Sequence, residues 1–179
     1  MEGPEYPGGG QITMLSTASP FYLVMLVNTG AWFALHMAGA WLAYRLPLER
    51  FRYEDRLYKT RRWEQEGLIY RKLFNVRLWK KYLPDGAAMF KGGFPKKHIL
   101  PNREADYYEE FLKETCRAEL THWIVMLTAS LFFLWNDWVI AVFMIPYAVI
   151  SNAPCIIVQR YNRPRIVRYS AILKEGETD

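Results

Sequence analysis

Hydrophobic and polar positions along this chain fall into blocks. Three blocks are apolar and long enough to cross a bilayer, which takes about 20 apolar helical residues. The first, residues 20–45, holds an apolar run over 21–44 worth roughly 36 Å of helix. The second, 118–135, gives roughly 27 Å, and the third, 138–159, roughly 31 Å. Pro146 and Pro154 lie inside the third, where each removes a helical hydrogen bond and predicts a kink. Asn136-Asp137, between Trp135 and Trp138, reads as a tight turn with the indoles at headgroup depth.

The remaining blocks have their own patterns. Residues 1–19 are rich in Gly and Pro (PEYPGGG) and predict a disordered exterior tail. Residues 46–117 form a polar lobe. Over its first half Trp63, Leu68, Ile69, Leu73, Phe74, Val76 and Trp79 recur at three-to-four spacing among basic residues. That predicts short amphipathic helices, either on the inner leaflet or packed on the lobe itself. A Gly/Pro-rich loop follows over 83–102, and 103–117 predicts a helix running into the second apolar block. Residues 160–179 are a basic tail. The expected fold class is an all-α integral membrane protein with three transmembrane helices and amphipathic interfacial helices in a cytoplasmic lobe.

Charge orients this arrangement. Of the 23 Lys and Arg residues, none precedes Arg45, 18 lie from Arg45 to Arg117, none falls in 118–159, and 5 follow from Arg160 onward. An exterior N-terminus puts all of them on the cytoplasmic side, as the positive-inside rule requires. The chain is therefore expected to be multi-pass in the cytoplasmic membrane, with its C-terminus cytoplasmic. A soluble domain does not segregate charge so completely, and no basic region precedes the first block as it would in a cleaved leader. The expected partners are the bilayer and anionic headgroups, at about 1 kcal/mol per basic residue, rather than nucleic acid. Cys116 and Cys155 have no metal or redox spacing, and no disulfide is expected in a reducing compartment.

The candidate chemistry gathers near the inner ends of the apolar blocks. Glu119 and His122 are spaced i and i+3 and share a helix face, the components of a general base with an orienting carboxylate. A structural ion pair explains the same spacing. One Glu-x-x-His is also half of a di-iron site, but a second pair is missing and no metal is expected. The third block ends in Asn152 and Pro154, followed by Arg160, Asn162, Arg163 and Arg165, a run suited to phosphate as well as to anchoring. Arg117 opens the second block. In the loop, Asp85 sits in a Pro-Asp-Gly turn, and Lys96, Lys97 and His98 follow Gly92-Gly93; this could close over an anionic headgroup but matches no phosphate-loop motif. His36, inside the first block beside Ala34, Ala38 and Gly39, could ligate a chlorophyll-type magnesium or be a hydrogen-bonded structural histidine. The second and third blocks form a hairpin, so Glu119 and His122 meet the segment 152–165 at the inner leaflet.

The stretches NVRLWKKYLPDG, KKHI, ETCRAELTHW and NAPCIIVQRYNRPR resemble the glycosyl-4,4'-diaponeurosporenoate acyltransferases, small membrane enzymes of staphyloxanthin-type carotenoid synthesis. The similarity runs over about 63–173. It implies transfer of a fatty acyl group to a sugar hydroxyl of a glycosylated carotenoid or similar lipid glycoside, with acyl-CoA or phospholipid as donor and no cofactor. The chemical assignment is His122 as base, Glu119 orienting it, and Asn152 or Arg160 stabilising the oxyanion. His98 is the alternative base, with Asp85 in the same loop. Arg117, Asn162, Arg163, Arg165, Lys96 and Lys97 would bind substrate, the last four holding donor phosphate. No histidine precedes an Asp at the spacing of the glycerolipid acyltransferases. Two other classes remain open. One is a non-catalytic subunit of a larger pigment-binding or electron-transfer (photosynthetic) complex, with His36 at a pigment; the other is a lipid-binding scaffold.

Overall fold

The computed structural model describes residues 15–83 and 104–176. Among them the chain is all-helical, with one isolated bridge pair and no strand. Helix α1 spans Phe21–Arg45, α2 Leu68–Phe74, α3 Val76–Trp79, α4 Ala105–Thr128 and α5 Trp138–Gly176.

Helices α1, α4 and α5 pack as a bundle. Trp32 of α1 stacks on Phe132 with centroids 4.7 Å apart, and Val125, Ala129 and Ala148 complete the cluster. Lower on α1 the approach to α4 is closer. A Cβ on Gly39 would lie 3.0 Å from Val125 Cγ2, so any larger residue here requires the Val125 side chain to give way. At one end of the bundle two amides lock the three helices together. Asn28 Nδ2 donates to Asn136 Oδ1 at 3.0 Å, and Asn136 Nδ2 returns a bond to Asn28 Oδ1 at 2.9 Å. Trp135 Nε1 adds a third bond to Asn28 Oδ1 at 3.0 Å. Residues 15–19, assigned by sequence to the tail, are folded against this end: Leu15 N donates to Trp135 O and Asp137 N to Leu15 O, each at 2.7 Å. The Asn136-Asp137 turn forms as expected, and Asp137 Oδ1 caps α5 by accepting from Ile140 N at 3.0 Å.

The helices differ in extent from the hydrophobic blocks. The 103–117 pattern and the second block merge into α4, which gives way to 3-10 turns over Ala129–Leu134. Helix α5 contains Pro146, Pro154 and Pro164, yet it continues through the basic run to Gly176. Ile166 explains this: it is buried against Tyr108, Phe111 and Leu112 of α4, with Val167 and Leu173 packed on the same cluster. The apolar stripe thus outlasts the membrane-like composition.

The lobe packs on the half of this hairpin away from the Asn28–Asn136 end. Its segment Arg62–Gly67 is a 3-10 stretch in which Gln65, Glu66 and Gly67 have φ of 49°, 53° and 83°. Gly67 is required twice over, because a Cβ there would also sit 3.1 Å from Tyr161 O. The amphipathic helices are short, α2 and α3, and leave Leu68, Leu73, Phe74 and Leu78 exposed.

Helices α1 and α5 are each long and apolar enough to cross a membrane, and only 11% and 22% of their apolar windows are buried. Phe21, Leu26, Phe33, Phe143 and Ile150 face outward. A soluble core helix would hide such residues.

Candidate functional site

The α4–α5 hairpin brings His122 to Asn152, with Nδ1 of the imidazole 2.9 Å from the amide oxygen Oδ1. Asn152 is fully buried, and its Nδ2 donates to Ala148 O at 3.0 Å and to Ser151 Oγ at 3.1 Å. A backbone carbonyl only accepts, so Nδ2 must face Ala148 and Oδ1 must face the histidine. Oδ1 also only accepts, so His122 Nδ1 carries the proton and, in the neutral ring, Nε2 is the basic nitrogen. The imidazole is partly buried. It is a base held in one tautomer by a neighbour that cannot titrate.

Glu119, one turn before His122, serves a different structure. Its Oε1 accepts from Arg160 Nε at 2.8 Å and Trp123 Nε1 at 3.2 Å, and its Oε2 accepts from Arg163 Nη2 at 2.7 Å. Arg160 Nη1 reaches Glu64 Oε1 at 2.7 Å, and its Nη2 reaches Leu57 O at 2.6 Å. Arg163 bonds Thr115 Oγ1 at 3.2 Å and Tyr58 O at 2.6 Å. Two carboxylates thus balance two guanidinium groups in a clasp joining the lobe, α4 and α5. Burial first, then Glu64, pushes the Tyr70 hydroxyl beside this clasp up to about 12. It stays protonated there. The expected pairing of Glu119 with His122 is replaced because two arginines offer a buried carboxylate stronger, charge-assisted donors.

The other predicted residues divide by location. Arg163 is 1% exposed and spends its donors inside the clasp, so it is a structural cation rather than a phosphate ligand. Arg117 pairs with Glu114 and lies 5.0 Å over the Tyr44 ring. Asn162 is fully buried and accepts from Lys80 Nζ at 3.3 Å. Arg165 stacks over Tyr161, 3.6 Å from the ring centroid. His36 keeps to its own helix, with Nδ1 2.9 Å from Trp32 O. Asp85, Lys96, Lys97 and His98 lie outside the described residues. Among the described residues no three His, Cys, Asp or Glu side chains gather as metal ligands. Burial pushes the Cys116 thiol up to about 11, so it offers no thiolate for a covalent acyl intermediate at neutral pH.

The family signature of the glycosyl-4,4'-diaponeurosporenoate acyltransferases matches residues 54–172, which take in the lobe, the clasp and the His122–Asn152 pair. The chain belongs to this family. Relatives bearing the family name in Staphylococcus aureus agree. The protein of strain MRSA252 is 36% identical over 143 residues, covering 80% of this chain and 86% of its own length. That of strain Newman is 36% identical over 147 residues, covering 82% and 88%. No solved structure matches significantly. Membership places the chain among acyltransferases of carotenoid pigment synthesis.

For an acyltransferase of this family, sequence reasoning picked out His122, Asn152 and Glu119 but missed Glu64, Thr115 and the lobe carbonyls. Glu64 carried one usable signal. A half-buried Arg160 beside a buried Arg163 needs two countercharges, and Glu119 supplies only one. Nothing local indicates which lobe carboxylate provides the second.

Proposed function

We propose that this chain transfers a fatty acyl group to a sugar hydroxyl of a glycosylated carotenoid or a similar lipid glycoside, with His122 as general base. The single observation supporting this most strongly is the 2.9 Å His122–Asn152 contact, which fixes the tautomer with Nε2 as the base. In this reading Nε2 removes the hydroxyl proton as the oxygen attacks the acyl carbonyl. The tetrahedral oxyanion collapses, the carbonyl–donor bond breaks, and the imidazolium returns the proton to the leaving thiol or alcohol. Asn152 is a positioning residue, since both ends of its amide are engaged. Arg160, the other sequence candidate for the oxyanion, is engaged as well, its three nitrogens bonding Glu119, Glu64 and Leu57 O.

The reaction is placed at the inner face of the cytoplasmic membrane. The bundle crosses with three spans, the 118–135 block completing α1 and α5. The Asn28–Asn136 end faces outward and the lobe inward. The exposed apolar residues of α1 and α5 and the confinement of Lys and Arg to the clasp end support this placement.

The test is acyl transfer in membranes, using labelled acyl-CoA and phospholipid donors and a glycosylated carotenoid acceptor. His122→Ala should lower turnover by about 10²–10⁴-fold while inserting normally. Wild-type turnover retained by an inserted His122→Ala protein would refute the assignment. If wild type gave no product with any donor, the non-catalytic subunit reading would take its place.

A further inference from the structure

Next to the neutral clasp lies a cluster made only of cations. Arg77 of α3, Lys80 just after α3 and Arg165 of α5 converge on Tyr161. Arg77 Nε donates to the Tyr161 hydroxyl at 3.1 Å, Lys80 Nζ lies 5.4 Å from the ring centroid and Arg165 Cζ 3.6 Å from it. Among the described residues, the neighbouring arginines Arg160, Arg163 and Arg168 all pair with carboxylates. No carboxylate among the described residues pairs with Arg77, Lys80 or Arg165. Burial first, then the Arg165 and Arg77 charges, pushes the Lys80 ammonium below its ordinary value.

A second observation lies in the same place. Asn162 accepts from Lys80 through Oδ1 and is fully buried, yet its Nδ2 has no hydrogen-bond partner among the described residues. A buried amide donor left unsatisfied beside three like charges is costly in isolation. An oxyanion beside Tyr161 would offset the three like charges gathered around that ring, with the unpartnered Asn162 amide adjoining Lys80.

We infer that Arg77, Lys80 and Arg165, with the Asn162 amide, form a binding site for a phosphate group of the acyl donor. The inference rests on the acyl-transfer reading for the carrier of that phosphate, not for the site. Two carriers share the chemistry, a phospholipid headgroup and the diphosphate of acyl-CoA. Distance separates them. Along α5, Arg165 lies about 20 Å from Asn152, the partner of the base. The ester of a phospholipid is only a few bonds from its phosphate. The thioester of acyl-CoA lies a full pantetheine arm from its diphosphate, which suits that separation. The carrier is therefore acyl-CoA, with its phosphates at this site and its thioester at His122.

The experiment measures binding of coenzyme A to the full chain in phosphatidylcholine nanodiscs. A parallel arm measures crosslinking of photoactivatable phosphatidylglycerol in nanodiscs. Lys80→Gln, Arg165→Gln and the exposed Arg77→Gln should each weaken coenzyme A about tenfold. Helical circular dichroism verifies the fold of each, and Arg77→Gln is the variant least able to disturb packing. His122→Ala should bind coenzyme A as wild type does. Binding that persists while no variant or wild type transfers acyl groups would refute the catalytic reading and leave this site standing. Equal coenzyme A affinity in folded Arg77→Gln, Lys80→Gln and wild type overturns the site. Crosslinking of phosphatidylglycerol that these variants abolish, without coenzyme A binding, overturns acyl-CoA as the carrier.

Discussion

The two ends of the helical bundle solve one problem with different chemistry. Both must satisfy polar groups where helices of the bundle and their connecting segments meet away from water. One end does so with neutral amides, Asn28 and Asn136, each supplying one donor and one acceptor to the other. The other uses full charges, with Glu119 and Glu64 set against Arg160 and Arg163. The amide lock tolerates the loss of a partner at moderate cost, because an orphaned amide is only a dipole. The ionic clasp does not, because an orphaned buried charge has no inexpensive state. His122, the proposed base, contacts an amide of the kind used at the other end.

That contrast can be broken in order of severity. Glu119→Gln leaves Arg163 buried without a countercharge and should destabilise the fold by about 3–5 kcal/mol. Thermal unfolding in detergent would read this as a large drop in midpoint or failure to purify. A near-native midpoint would mean that the clasp does not hold the lobe. Asn136→Ala removes both reciprocal amide bonds and should cost about 1–3 kcal/mol, clearly less than Glu119→Gln in the same assay. An equal or larger loss would erase the proposed asymmetry.

The smallest effect is expected where charge is solvent-exposed. The Lys174–Glu109 pair also joins α5 to α4, and the hydrogen bond and charge of Lys174 hold the Glu109 carboxyl below its ordinary range. A depressed carboxyl contributes stability above its unfolded value and loses it as pH falls through the folded one. Lys174→Gln should therefore be neutral once the pH has fallen below the folded Glu109 value, and barely measurable at pH 7. A pronounced loss at pH 7 would show that exposed pairs matter as much as the buried clasp.

The sequence shows the helices well where composition changes sharply. The block at 20–45 announces α1 and the one at 138–159 the first half of α5, whereas 118–135 covers only the end of α4 and the 3-10 turns after it. The turn at Asn136-Asp137 follows from its flanking indoles. The same signal misleads at residue 160, where basic residues begin but the apolar contacts of Ile166 carry α5 onward. His122 and Asn152 could be placed together because a hairpin aligns the start of one block with the end of the next. The partners of Glu119 could not be read, since Arg160, Arg163 and Glu64 come from segments whose approach depends on tertiary packing and on left-handed backbone at 65–67. Arg77 and Lys80 look like ordinary members of a basic helix until α3 is docked beside Tyr161.

Helix α5 also serves as a ruler. Its 39 residues measure about 58 Å, nearly twice a hydrocarbon core of about 30 Å. With Trp138 at the outer boundary of the proposed span, Asn152 stands about 21 Å down and Arg160 about 33 Å down. The clasp then falls at the level of the inner headgroups, while the base lies roughly 9 Å inside the oil. At that depth water, the competing acceptor, is scarce. An acceptor dissolved in the leaflet would need only to tip its sugar toward the protein, and the placement itself would favour esterification over hydrolysis.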